Sequence, residues 1–484
     1  MKDVVIGEHA YIKGANKLKN LTIFSSREEP TQIGEGVELV NGIVGHGCRV
    51  FYGSKAVRFV MGRNCNLKYG ARLVHSVLGD NSTVSCCELL NNLIFPMHEQ
   101  HHNNSFLIAS LVQGMSNMAA AATIGSNHNS RVNDGELRAK RGFWPGLAVS
   151  LKHPSCFASF VLVAKGDYPA EMNIALPFSL VSNNVHKNRL ELMPAYYWIH
   201  NLYALERSSW KVRARDKRVV KEQHVETDYL APDTAEEIVF AIAQLEGWLA
   251  EAAEAGAIPD ARVIHCRHLE RGKRGQVILN PVEGLAAYRE MLRWYAIKTL
   301  ALFLDERPEL DYSGFAELLG GDDGARLVET RVKEWVNMGG QIAPAFRVDK
   351  LRAEIGAGKL GSWGAIHAAY DRWREAYPLD KARHAWATLF LANGTRGPDG
   401  KAPDGARLLK RELGASLETR RLISRGVFET RAKDFRNAFK KATFRNALEM
   451  ERVLGRPEDD PFARLVNEEG ARHEELVDRL MARL

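Results

Sequence analysis

No stretch of the 484 residues approaches the roughly 20 consecutive apolar residues that a bilayer-spanning helix needs, so no membrane role is expected. Cysteine is scarce: six residues, at 48, 65, 86, 87, 156 and 266, with no Cys-x-x-Cys pair. That spacing excludes a zinc ribbon and a thioredoxin-like redox motif. Low-complexity tails and long heptad runs are missing. There is no Gly-x-Gly-x-x-Gly and no Gly-x-Ser-x-Gly, and Gly320-Gly-Asp-Asp-Gly324 lacks the Lys-Ser/Thr of a P-loop and reads as a turn. Neither sign of charge dominates. Sixty-six basic residues against 59 acidic ones give +7, which suits small anionic ligands and is too little to argue for nucleic acid. The first residues, Met1-Lys-Asp-Val-Val-Ile-Gly7, enter a repeat at once, so no signal peptide is expected. Together with thiols that have no motif partner, this predicts a reducing, cytoplasmic setting.

What is present is a repeat. Gly45, Gly62 and Gly79 each follow an apolar residue and stand 17 apart (62−45 and 79−62). Cys48-Arg-Val50-Phe-Tyr52-Gly53 realigns with Cys65-Asn-Leu67-Lys-Tyr69-Gly70 after the same shift. A fixed period is read first because it decides the whole fold. The unit is too short and too Gly-punctuated for a pair of helices. It reads as very short strands joined by tight turns, with apolar side chains pointing inward. Such units bury their faces only when stacked, like above like, as a parallel β-helix. Cys48 and Cys65 are expected to stack inside it. Residues 25–32, polar and containing Pro30, read as a surface loop leaving one corner.

Past about Asn188 the character changes. Tyr196, His200, Tyr203 and Arg207 recur at i, i+4, i+7 and i+11, which predicts an aromatic helix capping the open end of the solenoid. From Asp233 the chain reads as mostly helical, opened by a capping box, Thr234-x-x-Glu237. Residues 262–282 carry a short β excursion. The expected organisation is therefore α+β. It comprises a β-helix over 1–187 with irregular later coils, an aromatic helical cap and linker over 188–232, and an α-helical domain over 233–484.

The rhythm Ile6-Gly7, Ile33-Gly34, Val44-Gly45, Leu78-Gly79 and Ile124-Gly125 resembles the hexapeptide repeat of left-handed parallel β-helix proteins, whose coils take about 18 residues. The period here is one residue shorter, so one corner should be tighter. A closer resemblance covers nearly the whole chain. Its motifs are Ile124-Gly-Ser-Asn-His128-Asn-Ser-Arg131, Arg141-Gly-Phe-Trp-Pro-Gly146, Ser150-Leu-Lys152-His153 and Ala164-Lys-Gly-Asp167-Tyr-Pro-Ala-Glu171. They resemble an uncharacterised bacterial domain-of-unknown-function family that joins such a β-helix to a helical C-terminal region. The resemblance implies a left-handed solenoid and, from the superfamily, a homotrimer. It names no substrate and no cofactor. Many sugar nucleotidyltransferases carry this β-helix behind a Rossmann-like domain, and no such domain is visible here.

The densest polar constellation lies between His98 and Glu171, where Asn, His and Arg replace the apolar rhythm at a cost in sheet propensity. Superfamily members often use a histidine as general base for acyl transfer, work suited to a pKa near 6.5. By that resemblance His128, with His101 or His102, is the candidate base. Asn103, Asn127, Asn129 and Arg131 would hold a polar or phosphorylated ligand, and Asp134 or Glu136 would orient the imidazole. Lys140, Arg141, Lys152, His153 and Asp167 complete the polar set, and Trp144 in the Arg141–Gly146 motif would stack on a sugar or base. The expectation is a transferase-like protein acting on a sugar, a nucleotide-sugar or another phosphorylated metabolite. A metal-dependent lyase or hydrolase of γ-carbonic-anhydrase type, using His98, His101, His102 and His128, is the first alternative. A non-catalytic ligand-binding scaffold is the second.

Overall fold

The computed structural model describes residues 1–125, 135–256, 262–395 and 403–484. Its N-terminal part is a parallel β-solenoid of about ten coils. One coil shows how the sequence makes it. Strand Glu38–Val44 bends at Asn41, whose φ of 57° is left-handed, so residues 38–40 form a first face and 42–44 a second. Arg49–Val50 forms the third. The same bend recurs at Arg58 and His75. The corner between the third and first faces is the tight one, with two adjacent left-handed residues at Tyr52-Gly53 and again at Tyr69-Gly70. Parallel pairing puts like above like: Val44, Met61, Leu78, Ile94 and Val112 stack in register, as do Ile33, Val50, Leu67 and Val84. All are buried.

The glycines spaced by 17 serve close approach rather than left-handed φ. A Cβ on Gly45 would sit 2.6 Å from the backbone of Gly62, and one on Gly62 would sit 2.8 Å from the Asp80 nitrogen. Cys48 and Cys65 lie in the interior, reduced and fully buried, in a column that continues through Ser82, His98 and Ser116. His98 is therefore a core residue. Its ring nitrogens meet Ser116 Oγ at 2.8 Å and Gln100 Oε1 at 3.3 Å. Burial pushes its pKa down to about 4, against the Gln100 contact and the Glu99 charge, which raise it.

Residues 25–32 are not the simple surface loop expected, because Ser25, Glu29 and Thr31 are buried. The Glu29 carboxylate accepts hydrogen bonds from Arg63 Nη1, Asn64 Nδ2 and the backbone N–H of Val219. That satisfies a charge which would otherwise be costly to bury.

Beyond the last coil, Leu180–Asn184 pairs in parallel with Leu162–Val163 and antiparallel with Arg189–Met193. Gly275–Leu279 and then Val263–His265 extend the same sheet, placing the anticipated β excursion on the solenoid's end. The helices are α1 (Tyr196–His200), α2 (Leu202–Arg215), α3 (Pro232–Glu254), α4 (Pro281–Asp305), α5 (Tyr312–Leu319), α6 (Gly324–Thr330), α7 (Ala345–Gly356), α8 (Trp363–Asn393), α9 (Gly405–Arg436), α10 (Ala438–Lys441), α11 (Ala447–Leu454) and α12 (Pro461–Arg483). Among the described residues none is long and apolar enough to cross a membrane.

The predicted single aromatic helix is two, broken at Asn201, and only the first covers the end of the solenoid, where the Tyr197 N–H donates to the Phe178 carbonyl. α2 turns back along the third face instead. The capping box is also corrected. α3 starts at Pro232, the Thr234 hydroxyl serves the Ala231 N–H and the Tyr229 carbonyl, and Glu237 turns to the solenoid, where it accepts from Ser159 N and Oγ and pairs with Lys140.

Candidate functional site

Between α2 and the third face lies a groove of about 580 Å³. Its floor follows from the period of the strands. Outward-facing residues alternate with the buried Leu67, Val84, Gln100 and Met118, so Asn66, Thr83, Glu99 and Asn117 stack one per coil. Trp144 continues the row, since the Asn117 N–H bonds the Phe143 carbonyl. The four steps between these five residues span roughly 19 Å at about 4.8 Å per coil. The wall is one stripe of α2: Tyr203, Arg207, Lys211 and Arg215, four residues apart. Asn64, Asn81, Met97 and Met115 form the corner beneath it, and all four carry left-handed backbone in successive coils.

Charge divides the groove. In the middle Glu99 accepts from Lys211 at 2.5 Å and from Arg215 at 2.7 Å. Burial pushes the Glu99 carboxyl up, but Lys211 and Arg215 outweigh it and hold its pKa below the usual value. At one end Lys217 and Lys68 stand near Arg49. Burial, Arg49 and Lys217 together lower the Lys68 pKa. No carboxylate pairs with these three cations among the described residues. At the other end the lining is aromatic, with Trp144, Tyr197 and Tyr203. The segment after α2 closes the groove against the solenoid. Asp216 accepts from Asn81, Arg218 pairs with Asp80, and Glu222 pairs with Arg63.

Those of the expected site residues that are described do not gather in one pocket. His128, Asn127, Asn129, Arg131 and Asp134 lie outside the described residues. Of the others, His101, His102 and Asn103 sit exposed on the corner between the third and first faces, with the two imidazole rings 4.4 Å apart. Lys152 and His153 occupy the corner between the first and second faces. Lys152 pairs there with Glu171, and buried His153 meets the Ile108 carbonyl through Nε2. Arg141 is on the remaining corner, 1% exposed, its guanidinium spent on Asp233 (2.9 and 2.8 Å) and the Asp228 carbonyl. Glu136 pairs with Arg138 in solvent, and Asp167 is exposed. Residues separated by a third of a coil point to different edges of a three-sided prism, whatever their proximity in sequence. Of the described set Trp144 alone lines the groove, and His101 stands at its rim. Burial, the neighbouring His102 and the cations Lys211 and Arg215 lower the His101 pKa, with Glu99 opposing.

Among the described residues no three His, Cys, Asp or Glu side chains are placed to hold a metal ion. The groove's own residues escaped the sequence reading, although two signals pointed to them. Asn66, Thr83 and Glu99 recur one coil apart, and the i+4 stripe of Tyr203 and Arg207 runs on to Lys211 and Arg215.

A protein of Treponema pallidum (strain Nichols), described as "Uncharacterized protein", is 49% identical over 486 residues, covering 97% of this chain and 65% of its own length. The chain thus spans slightly less than two thirds of that relative. A family model described as "Domain of unknown function (DUF4954)" matches residues 1–248. With half of its length matched, from the first coil through the groove and into α3, the chain belongs to that family.

Proposed function

We propose that the groove binds a nucleotide-sugar or another phosphorylated sugar metabolite, and that the chain acts on it as a transferase. One observation carries the reading. A floor of the Asn66 and Asn117 amides, the Thr83 hydroxyl and the Glu99 carboxylate neutralised by Lys211 and Arg215 is flanked by aromatic rings at one end and, at the other, by Lys217 with Lys68 and Arg49 beside it, none of the three with an acid partner among the described residues. Aromatic faces suit sugar or base stacking, amides suit hydroxyls, and clustered Lys and Arg suit phosphate. The floor's length suits a two-part ligand better than a lone sugar phosphate. His101, neutral at pH 7 and set at the rim, is the base this reading assigns, with His102 beside it. His128 keeps its place in the reading from the sequence alone. The metal-dependent alternative loses its fourth histidine, since His98 is spent inside the core.

The finer fold assignment, a left-handed hexapeptide-type helix, belongs to the same proposal. Its support is a coil of 17 residues with three bends. Self-association is part of it too. Ile43, Val60, Val77 and Leu93 stand in register on the outside of the second face, each between 38% and 44% exposed, as a flat apolar stripe that a second copy would cover.

The test is a thermal-shift and calorimetric screen of nucleotide-sugars, sugar phosphates and acyl-CoAs. A saturable rise in melting temperature with nucleotide-sugars is expected. Lys68→Gln/Lys217→Gln should weaken it about tenfold, and His101→Ala should spare binding while removing turnover. No stabilisation at millimolar ligand would end the proposal. Binding without turnover in the wild type would leave the scaffold reading.

A further inference from the structure

A second cavity, of about 570 Å³, lies wholly within the helical region and the turn before α3. Five elements converge on it. α2 supplies Glu206, the turn supplies Asp228 and Tyr229, α4 supplies Lys298 and Trp294, α9 supplies Arg420, and α12 supplies Glu469 and His473. On its floor the Tyr229 hydroxyl donates to Glu206 Oε1 at 2.5 Å. The other Glu206 oxygen takes no hydrogen bond among the described residues. Lys298 Nζ meets Asp228 at 2.6 Å and stands 5.3 Å from the centre of the Tyr229 ring. Arg420 is 7% exposed and gives Nη2 to the Val466 carbonyl and to Glu469. On the rim, Arg213 has no acid partner among the described residues.

Three features set this cavity apart from a packing defect. It is lined by charged groups, where a void left by imperfect packing is lined by apolar ones. Its wall also keeps two buried donors, Arg420 Nε and Trp294 Nε1, without an acceptor among the described residues. A buried donor left unpaired is costly, and residues chosen for folding alone would not tolerate two around one space. Finally, Glu206 is a half-buried carboxyl whose proton affinity is raised by desolvation against the opposing charges of Arg420 and Lys298. A perturbed acid in a charged cleft is the usual mark of a ligand or reaction site.

We infer that this cavity is a second ligand site, separate from the groove, for a small carboxylate- or phosphate-bearing anion. Lys298 and Arg420 hold the anionic group, Arg213 guides it in, and Glu206 shares a proton with it or with a neighbouring hydroxyl.

Isothermal titration of the full chain with inorganic phosphate and with citrate tests the inference. Saturable binding of at least one probe is expected below about 10 mM, weakened about tenfold by Lys298→Gln and by the surface change Arg213→Gln. The groove change Lys217→Gln should leave it unaltered, which separates the two sites. A melting curve of each variant confirms folding. Absence of saturable binding by either probe overturns the inference. So does binding that Lys217→Gln removes and both Arg213→Gln and Lys298→Gln spare.

Discussion

Two residue types carry the solenoid for reasons that sequence periodicity alone does not state. Gly62 is needed because the next coil passes within van der Waals distance of where its Cβ would be. Gly62→Ala should destabilise the chain by about 2 kcal/mol or more, read as a lower urea midpoint, because the contact is with backbone that cannot swing away. His98 is the opposite case, a polar side chain kept neutral in the core. Its folded pKa of about 4 lies below the ordinary 6.5. Between those values the unfolded chain binds more protons than the folded one, so stability should fall as pH drops from 6.5 toward 4, by a few kcal/mol at most. His98→Gln should remove that part of the slope in denaturation midpoints measured from pH 7.5 to 4.5. An unchanged slope would mean that His98 is not the titrating group.

At the scale of elements, the helical region is fastened to the solenoid by buried charge. Arg141, on one corner, grips Asp233 in the first turn of α3 through two hydrogen bonds. The carboxylates of Asp233 and Glu226 face it and the Asp228 carbonyl accepts from it, while Lys298 answers Asp228 and Lys381 answers Glu226. Removing one partner strands the other, so Arg141→Ala should cost about 3–5 kcal/mol. Asp233→Ala should cost a similar amount, and the double variant clearly less than the sum, as measured by chemical denaturation. The sequence offered Arg141 as a ligand cation. Only the fold shows it turned inward against α3, because the corner it occupies is the one the helical region covers. The polar insert at residues 25–32 was misjudged for the same reason. Glu29 looked like solvent-facing charge until the segment after α2 was laid across it.

For the whole molecule, the apolar stripe of Ile43, Val60, Val77 and Leu93 on the second face is a surface that one chain leaves partly open. From the self-association proposed for it, light scattering should give a mass several times 54.1 kDa. Val60→Lys/Val77→Lys should then return the protein to a monomer without lowering its melting temperature by more than a few degrees. A monomeric wild type at micromolar concentration would remove the oligomer from the proposal and leave the groove untouched.

The sequence by itself determined the stacked coil, because a period of 17 residues with inward apolar positions has one way to bury them, and that is to repeat. It also determined that helices follow, since their apolar spacing is local. Where the chemistry gathers was decided only by tertiary structure. Neighbours in sequence such as His101, Arg141 and Lys152 were sent to three different edges, while Asn66, Glu99, Trp144 and Lys211, scattered over 146 positions (211−66+1), were brought to one groove. The physical reason is that a solenoid turns each third of a coil to a new face. Adjacency along the chain therefore means little, and adjacency one period away, or across a helix laid on that face, means nearly everything.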